Sequence, residues 1–226
     1  MLLSALRQAA STGNYLPVVA AILASVFLVF FVIPVHEFAH AWMAYRLGDN
    51  TAKNSGGLTL NPLAHIDPLG AILIALIGFG WGKPTPINPN NFKNRRRGIA
   101  ITSAAGPLSN LLFGWLFLFL GLIVTKIPAL DGTRLEMILY WFFLYAGEIS
   151  IYLAVLNLLP IPPFDGFGIV EGLLPRNASY WIATHQQTIS LVVIVLLFTN
   201  VLTRPLSWIA GFIMQFFMWI SSLPFG

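Results

Sequence analysis

The sequence predicts an all-α integral membrane protein with about five transmembrane helices and a short β-hairpin or re-entrant segment between the first two. Composition is the first reason. Of 226 residues, 57% are hydrophobic and only 9% are charged, against roughly 25% charged in a soluble domain. The second reason is that the apolar residues gather into uncharged runs of 18 residues or more, long enough for a helix to cross a bilayer. In lipid every backbone N–H and C=O must be paired within the protein, so such runs fold as helices. The chain reads as one membrane-embedded domain, residues 1–226.

Val18 to Val35 is an 18-residue uncharged run whose helical pattern continues through His40 to Leu47, where Gly48-Asp49-Asn50 stops it. The apolar stretch begins near Leu16 and lacks the small-residue cleavage site of a secretory signal, so it is expected to be a retained span. Gly56 to Gly70 is rich in Gly, Pro, Asn and Asp, and its alternating Leu58-Thr59-Leu60 suits a strand or hairpin. Leu69 to Trp81 is mostly apolar but only 13 residues long, a length for a re-entrant or interfacial segment rather than a crossing. Gly82 to Gly98 carries Lys83, Lys93, Arg95, Arg96 and Arg97 among turn residues and reads as a polar loop. Ile99 to Val124, 26 uncharged residues, makes the second span, and Met137 to Leu159, interrupted only by Glu148, the third. Thr188 to Thr203 is a short fourth span and Leu206 to Leu223 a fifth, separated by Arg204-Pro205.

Twelve Lys+Arg against eight Asp+Glu give a net charge of +4. In a membrane protein so modest an excess encodes orientation and attraction to anionic lipid, and nucleic acid is not an expected partner. The absence of cysteine excludes a disulfide framework, a thiol nucleophile and a thiolate metal site. Any metal must rest on His and carboxylates.

His36-Glu37-Phe38-Ala39-His40 has the HExxH spacing. On a helix, residues i and i+4 share a face, so both imidazoles can reach one Zn²⁺ while Glu37 lies beside it as base for a water. The motif follows directly on an apolar run, where three ionisable groups within five residues are costly unless they have a function. Catalytic zinc needs a third protein ligand, and the candidates are His65, Asp67, Glu148, Asp165, Glu171 and His185. Asp165 stands out because Pro160, Pro162 and Pro163 break the end of the third span and can turn a carboxylate inward. Glu148 precedes it by 17 residues, about 25 Å along a helix, and belongs to the far half of the membrane.

Both motifs end their spans. The second and third spans return the chain to the face where the first ends, provided that Leu69 to Trp81 does not cross. If it crossed, the motifs would lie roughly 30 Å apart, far beyond a metal–ligand reach of about 2 Å. The charge bias agrees. Arg46, Lys53, Lys83, Lys93, Arg95, Arg96, Arg97 and Arg176 fall on the motif face, and Arg7, Lys126, Arg134 and Arg204 on the other. The positive-inside rule then makes the motif face cytoplasmic.

These residues resemble the site-2 protease family, zinc-dependent intramembrane metalloproteases. The resemblance rests on HEFAH at the end of the first span, Ala105-Gly106-Pro107-Leu108-Ser109-Asn110 in the second, and Asn157, Pro160 and Asp165-Gly166 at the end of the third. The loop text GGLTLNPLAHIDPLG and Gly82-Lys83-Pro84-Thr85-Pro86-Ile87-Asn88-Pro89 is similar to the compact bacterial members. It covers roughly Val18 to Gly172, leaving the spans at about 188–223 as additions. The resemblance implies one Zn²⁺ per chain held by His36, His40 and Asp165, with Glu37 as base and Asn157 holding substrate or the oxyanion. Phe164 departs from the Leu that many members place before Asp-Gly, apolar for apolar. Asn110 is an accessory candidate for an interhelical bond near the site, and His65 for a place beside the metal or the substrate.

The expected activity is endopeptidase cleavage in or beside a transmembrane helix of another protein, in a multi-pass protein of the plasma or inner membrane. Leu58-Thr59-Leu60 is a plausible edge on which an extended substrate pairs. The linkers leave no room for an inserted PDZ domain, and no appended soluble sensor domain is expected. A transporter would also use broken helices and intramembrane charge, but should carry paired repeats, which the sequence lacks. A metal-binding membrane scaffold without proteolysis is the other alternative. The substrate and the oligomeric state are not encoded legibly.

Overall fold

The computed structural model describes residues 2–70, 72, 82–171 and 173–225. A short helix α1 (Leu2–Thr12) precedes the long α2 (Leu16–Arg46). Within α2, Leu28–Val32 form a π-helical turn, and the N–H of Ile33 reaches back five residues to the Leu28 carbonyl. Pro34 explains the position of this turn. It lacks an N–H, and its ring conflicts with the carbonyl of Phe30, so the backbone widens just ahead of His36. At its far end α2 closes in a Schellman motif: Gly48, at φ 106°, donates to Tyr45, and the N–H of Asp49 reaches the Ala44 carbonyl at 2.9 Å.

Helix α3 (Arg95–Val124) starts where the Asn94 side chain accepts the Arg97 N–H at 3.1 Å. Helix α4 (Arg134–Asn157) starts at Thr133, whose hydroxyl oxygen accepts the Glu136 N–H, while the Glu136 carboxylate accepts the N–H of Gly132. After Asn157 the proline-rich turn leads into α5 (Asp165–Glu171). Helices α6 (Arg176–Thr184) and α7 (Gln186–Phe198) meet at a bend of 70°, and α8 (Thr203–Ser222) follows.

Four described helices are long and apolar enough to cross a membrane, or five if the bent α6–α7 pair counts as one span. The protein is therefore the all-α, multi-pass membrane protein that composition predicts. The expected fourth span is shifted and shortened. In place of Thr188 to Thr203 there is the 13-residue α7, because Asn200, at φ 62°, turns the chain out of the helix. The hairpin expected at Leu58-Thr59-Leu60 is not formed, and the described residues contain no strand, only a single antiparallel bridge between Ile66 and Gly82. Local side chains take the ladder groups instead. Thr59 Oγ1 accepts the Asn61 N–H and Asn61 Oδ1 accepts the Leu63 N–H, which opens a 3₁₀ turn at Pro62–Ala64. The re-entrant segment expected at Leu69 to Trp81 lies, but for residues 69, 70 and 72, outside the described residues.

The core is built from α2, α3 and α4. Ala20, Ala21 and Ala24 of α2 lie against Tyr145 of α4, and Leu28, Val29 and Val32 against Phe117 and Ala146. Leu118, Ile151 and Val155 join Leu197, Leu206 and Ala210 from the C-terminal helices. On the outside, Ile22, Val26 and Phe30 recur every four residues and are exposed, as are Leu108 and Leu112. Such apolar stripes facing out are what a bilayer solvent requires.

Helices α3 and α4 approach closely through Gly114 and Gly147, the small-residue packing expected where lipid gives no hydrophobic drive between helices. A Cβ at Gly147 would sit 2.8 Å from Leu118 Cδ2 and 3.1 Å from the Gly114 carbonyl oxygen, whereas one at Gly211 would meet nothing within 4 Å. Gly147→Val should therefore destabilise the protein by about 1–3 kcal/mol, and Gly211→Val should leave it near wild type. Thermal unfolding of both variants in one detergent checks the contrast.

Candidate metal centre

The helical period places His36 and His40 on one face of α2, and both are buried. The turn after α4 then brings Asp165, the first residue of α5, against them. His36 Nε2 and His40 Nε2 are 3.1 Å apart, and Asp165 Oδ2 lies 3.2 Å from the first and 3.3 Å from the second. Tetrahedral ligands at zinc distances of about 2.0–2.1 Å are separated by about 3.3 Å. The triangle therefore has the size of one face of a zinc tetrahedron. Among the described residues this is the one group of three metal-type side chains close enough to share an ion.

Two features of α3 prepare the triangle for a cation. His40 Nδ1 lies 2.7 Å from the Thr102 carbonyl oxygen. A carbonyl only accepts, so Nδ1 carries the proton and Nε2 presents its lone pair to the site. Gly106 supplies the floor: a Cβ there would overlap His40 Nε2 and stand 2.6 Å from His36 Nε2.

Glu37 points to a different neighbour. Its Oε2 accepts the N–H of Thr85 at 2.8 Å, and its carbonyl oxygen accepts the Thr85 hydroxyl at 3.1 Å. Asn157 is half-buried as the last residue of α4, one proline-rich turn before Asp165. Asn110 is buried on α3, one turn beyond Gly106. His65 is buried, and its Nε2 donates within its own loop to the Thr59 carbonyl at 2.8 Å.

The remaining third-ligand candidates lie elsewhere. Asp67 accepts the Gly70 N–H, and His185 stacks on Trp181. Glu171 ends α5, and Glu148 is exposed on α4. Sequence reasoning missed Thr85, Thr102 and Asp49. The first two act largely through main-chain groups, which leave no residue signature. Asp49 was legible only as a helix stop.

The model of peptidase family M50 matches residues 121–200, which include Asn157 and Asp165 but not HEFAH. Three relatives share the printed name "Putative zinc metalloprotease". YwhC of Bacillus subtilis is 38% identical over 77% of this chain and 79% of its own length. Rip2 of Mycolicibacterium smegmatis is 32% identical over 94% of this chain and 77% of its own length. MJ0611 of Methanocaldococcus jannaschii is 36% identical over 34% of each chain. No solved structure matches at a significant level. The chain belongs to peptidase family M50, the site-2 protease family, and is a multi-pass membrane metalloprotease.

Because a Cβ at Gly106 would overlap both imidazoles and force them to shift, Gly106→Ala should abolish metal binding and cost about 1–3 kcal/mol of stability. Metal analysis of the purified variant, alongside its thermal unfolding, checks this. Full metal content would mean that the ion sits away from α3.

Proposed function

We propose that the protein is a zinc-dependent intramembrane endopeptidase in which His36, His40 and Asp165 hold the metal, Glu37 is the general base and Asn157 supports the oxyanion. The single observation that carries the reading is the triangle of 3.1, 3.2 and 3.3 Å formed by two imidazole nitrogens and one carboxylate oxygen. Its size and its N₂O donor set fit zinc, and family membership agrees. Zinc, when bound, supplies a Lewis acid that polarises a carbonyl and acidifies water.

The chain's own residues do the rest. Glu37 follows His36 on the helix, with Oε2 fixed by Thr85, which leaves Oε1 to take a proton from the attacking water and return it to the leaving amine. Asn157 offers an N–H to the oxygen of the scissile carbonyl as negative charge develops there. His40 keeps its orientation through Thr102. The apolar exterior supports a membrane-protein substrate reached within the bilayer. A helical substrate must first unwind, since its carbonyls are held in i to i+4 bonds. The site faces the cytoplasm of a plasma or inner membrane in this reading, supported by the eight basic residues on the motif face.

Purified protein should hold about one zinc per chain. His36→Ala, His40→Ala and Asp165→Ala should each lower that occupancy, while Glu37→Gln keeps it and loses cleavage. Co-expression with tagged single-span membrane proteins, wild type against Glu37→Gln, tests the activity. Zinc without Glu37-dependent cleavage of any of them would favour a metal-binding scaffold.

Asn157→Ala should keep zinc and stability but cut turnover at least about tenfold, since one lost oxyanion donor typically costs roughly 10²- to 10³-fold. An interhelical hydrogen bond in a membrane is worth only about 0.6 kcal/mol on average, so a purely structural role would not produce that loss. A variant that loses zinc or unfolds while its folded fraction turns over normally would remove Asn157 from catalysis. For topology, cysteines placed at residues 93 and 126 should label from the cytoplasm and the outside respectively. External labelling at 93 would contradict the assigned orientation.

A further inference from the structure

Residues 82–91 form a strap, extended over 82–88 and closed by a 3₁₀ turn at Pro89–Asn91, that passes Glu37 and is fastened at three points. At its entry Ile66 and Gly82 form the antiparallel bridge, and the Lys83 N–H donates to the His65 carbonyl at 2.8 Å. In its middle Thr85 grips Glu37 through the two bonds described above. At its exit the Asn88 N–H donates to Asp49 Oδ2 at 2.7 Å, and Asn91 Nδ2 donates to Asp49 Oδ1 at 2.7 Å. Asp49 Oδ1 also accepts the N–H of Thr51 at 3.0 Å and the Thr51 hydroxyl.

Asp49 is completely buried. Burial pushes its carboxyl up, but the hydrogen bonds from Thr51, Asn91 and Asn88 outweigh that and hold it below the usual range, so it stays ionised. A buried carboxylate with four donors and, among the described residues, no cationic partner is expensive to maintain unless its geometry is needed. Two of its four donors belong to the strap. The Schellman turn at the end of α2 fixes where Asp49 stands, and Asp49 in turn fixes how far the strap runs over α2 before α3 begins.

We propose that Asp49 is a positioning residue for the general base, acting through the strap: by holding Asn88 and Asn91 it sets the Thr85 N–H that orients the Glu37 carboxylate. The inference rests on the assignment of Glu37 as base. Asp49 touches no reacting atom. Its effect comes from keeping Oε2 occupied so that Oε1 faces the water, and displacements on the order of 1 Å in such arrangements cost about 10²-fold in rate.

Asp49→Asn isolates the effect. Its amide oxygen can keep the three bonds at Oδ1, but its amide nitrogen faces the Asn88 N–H, donor against donor. Asn91 is exposed, so Asn91→Leu is a second route to loosening the strap without a buried change. Both variants, with wild type and Glu37→Gln, are compared as full-length zinc-loaded protein in detergent. The readouts are turnover of a tagged single-span membrane protein in the same detergent, zinc content, thermal unfolding and amide hydrogen exchange of residues 83–88.

The expected result for Asp49→Asn is at least about a tenfold fall in kcat, with KM within about twofold, zinc retained and faster exchange over residues 83–88. Asn91→Leu should shift kcat and exchange in the same direction by less. If Asp49→Asn fails to fold, Asn91→Leu decides. The proposal is overturned if exchange rises without a change in kcat, if kcat falls while the strap stays protected, or if the loss follows zinc or a raised KM. If Glu37→Gln itself cleaves that protein at the wild-type rate, or wild type cleaves none of the tagged single-span proteins, the reading of Glu37 as base fails first and this proposal with it. If Glu37→Gln is inactive and Asp49→Asn is normal, only the positioning role is lost.

Discussion

Three candidate ligand atoms within 3.3 Å of one another, drawn from two helices, are the constraint on which the proposed site depends. Two imidazoles and a carboxylate cannot be left buried and unpaired, because each would carry a large desolvation cost. A shared cation resolves that cost. It also demands that the end of α2 and the beginning of α5 face each other with sub-ångström tolerance. The close Gly114–Gly147 approach of α3 and α4, the π turn ahead of Pro34 and the proline-rich turn after Asn157 can all be read as means of bringing those two ends together.

Helix α3 serves the site without supplying a ligand. Its Thr102 carbonyl accepts from Nδ1 of His40, and its Gly106 leaves room for the two imidazoles. One turn of the helix therefore orients His40 and admits both rings. The Pro107 that follows lacks an N–H and so relaxes the helix backbone at the same level. The strap adds a fourth layer on the other side of Glu37, so the carboxylate is held from the loop while the imidazoles are held from the helix.

Much of this was legible in the sequence because it depends on side-chain identity at fixed spacing. The HExxH period places two histidines on one face, and three prolines ahead of Asp165 mark a broken helix end. The long apolar runs announce their helices. What escaped depends on backbone groups and on long sequence separations. Thr85 meets Glu37 across 48 positions and Thr102 meets His40 across 62, through atoms that every residue type possesses. The hairpin expected at Leu58 to Leu60 failed because Thr59 and Asn61 offer local acceptors that a simple alternation count ignores. The fourth span ends at Phe198, short of the expected Thr203, because a left-handed Asn200 rather than a polar run ends α7.

The most direct test of the shared site is zinc K-edge X-ray absorption on the purified chain. The account predicts a light-atom shell at about 2.0–2.1 Å with the outer scattering of two imidazoles, falling to one in His40→Ala. An all-oxygen shell, or a spectrum unchanged by His40→Ala, would contradict it and place the metal elsewhere.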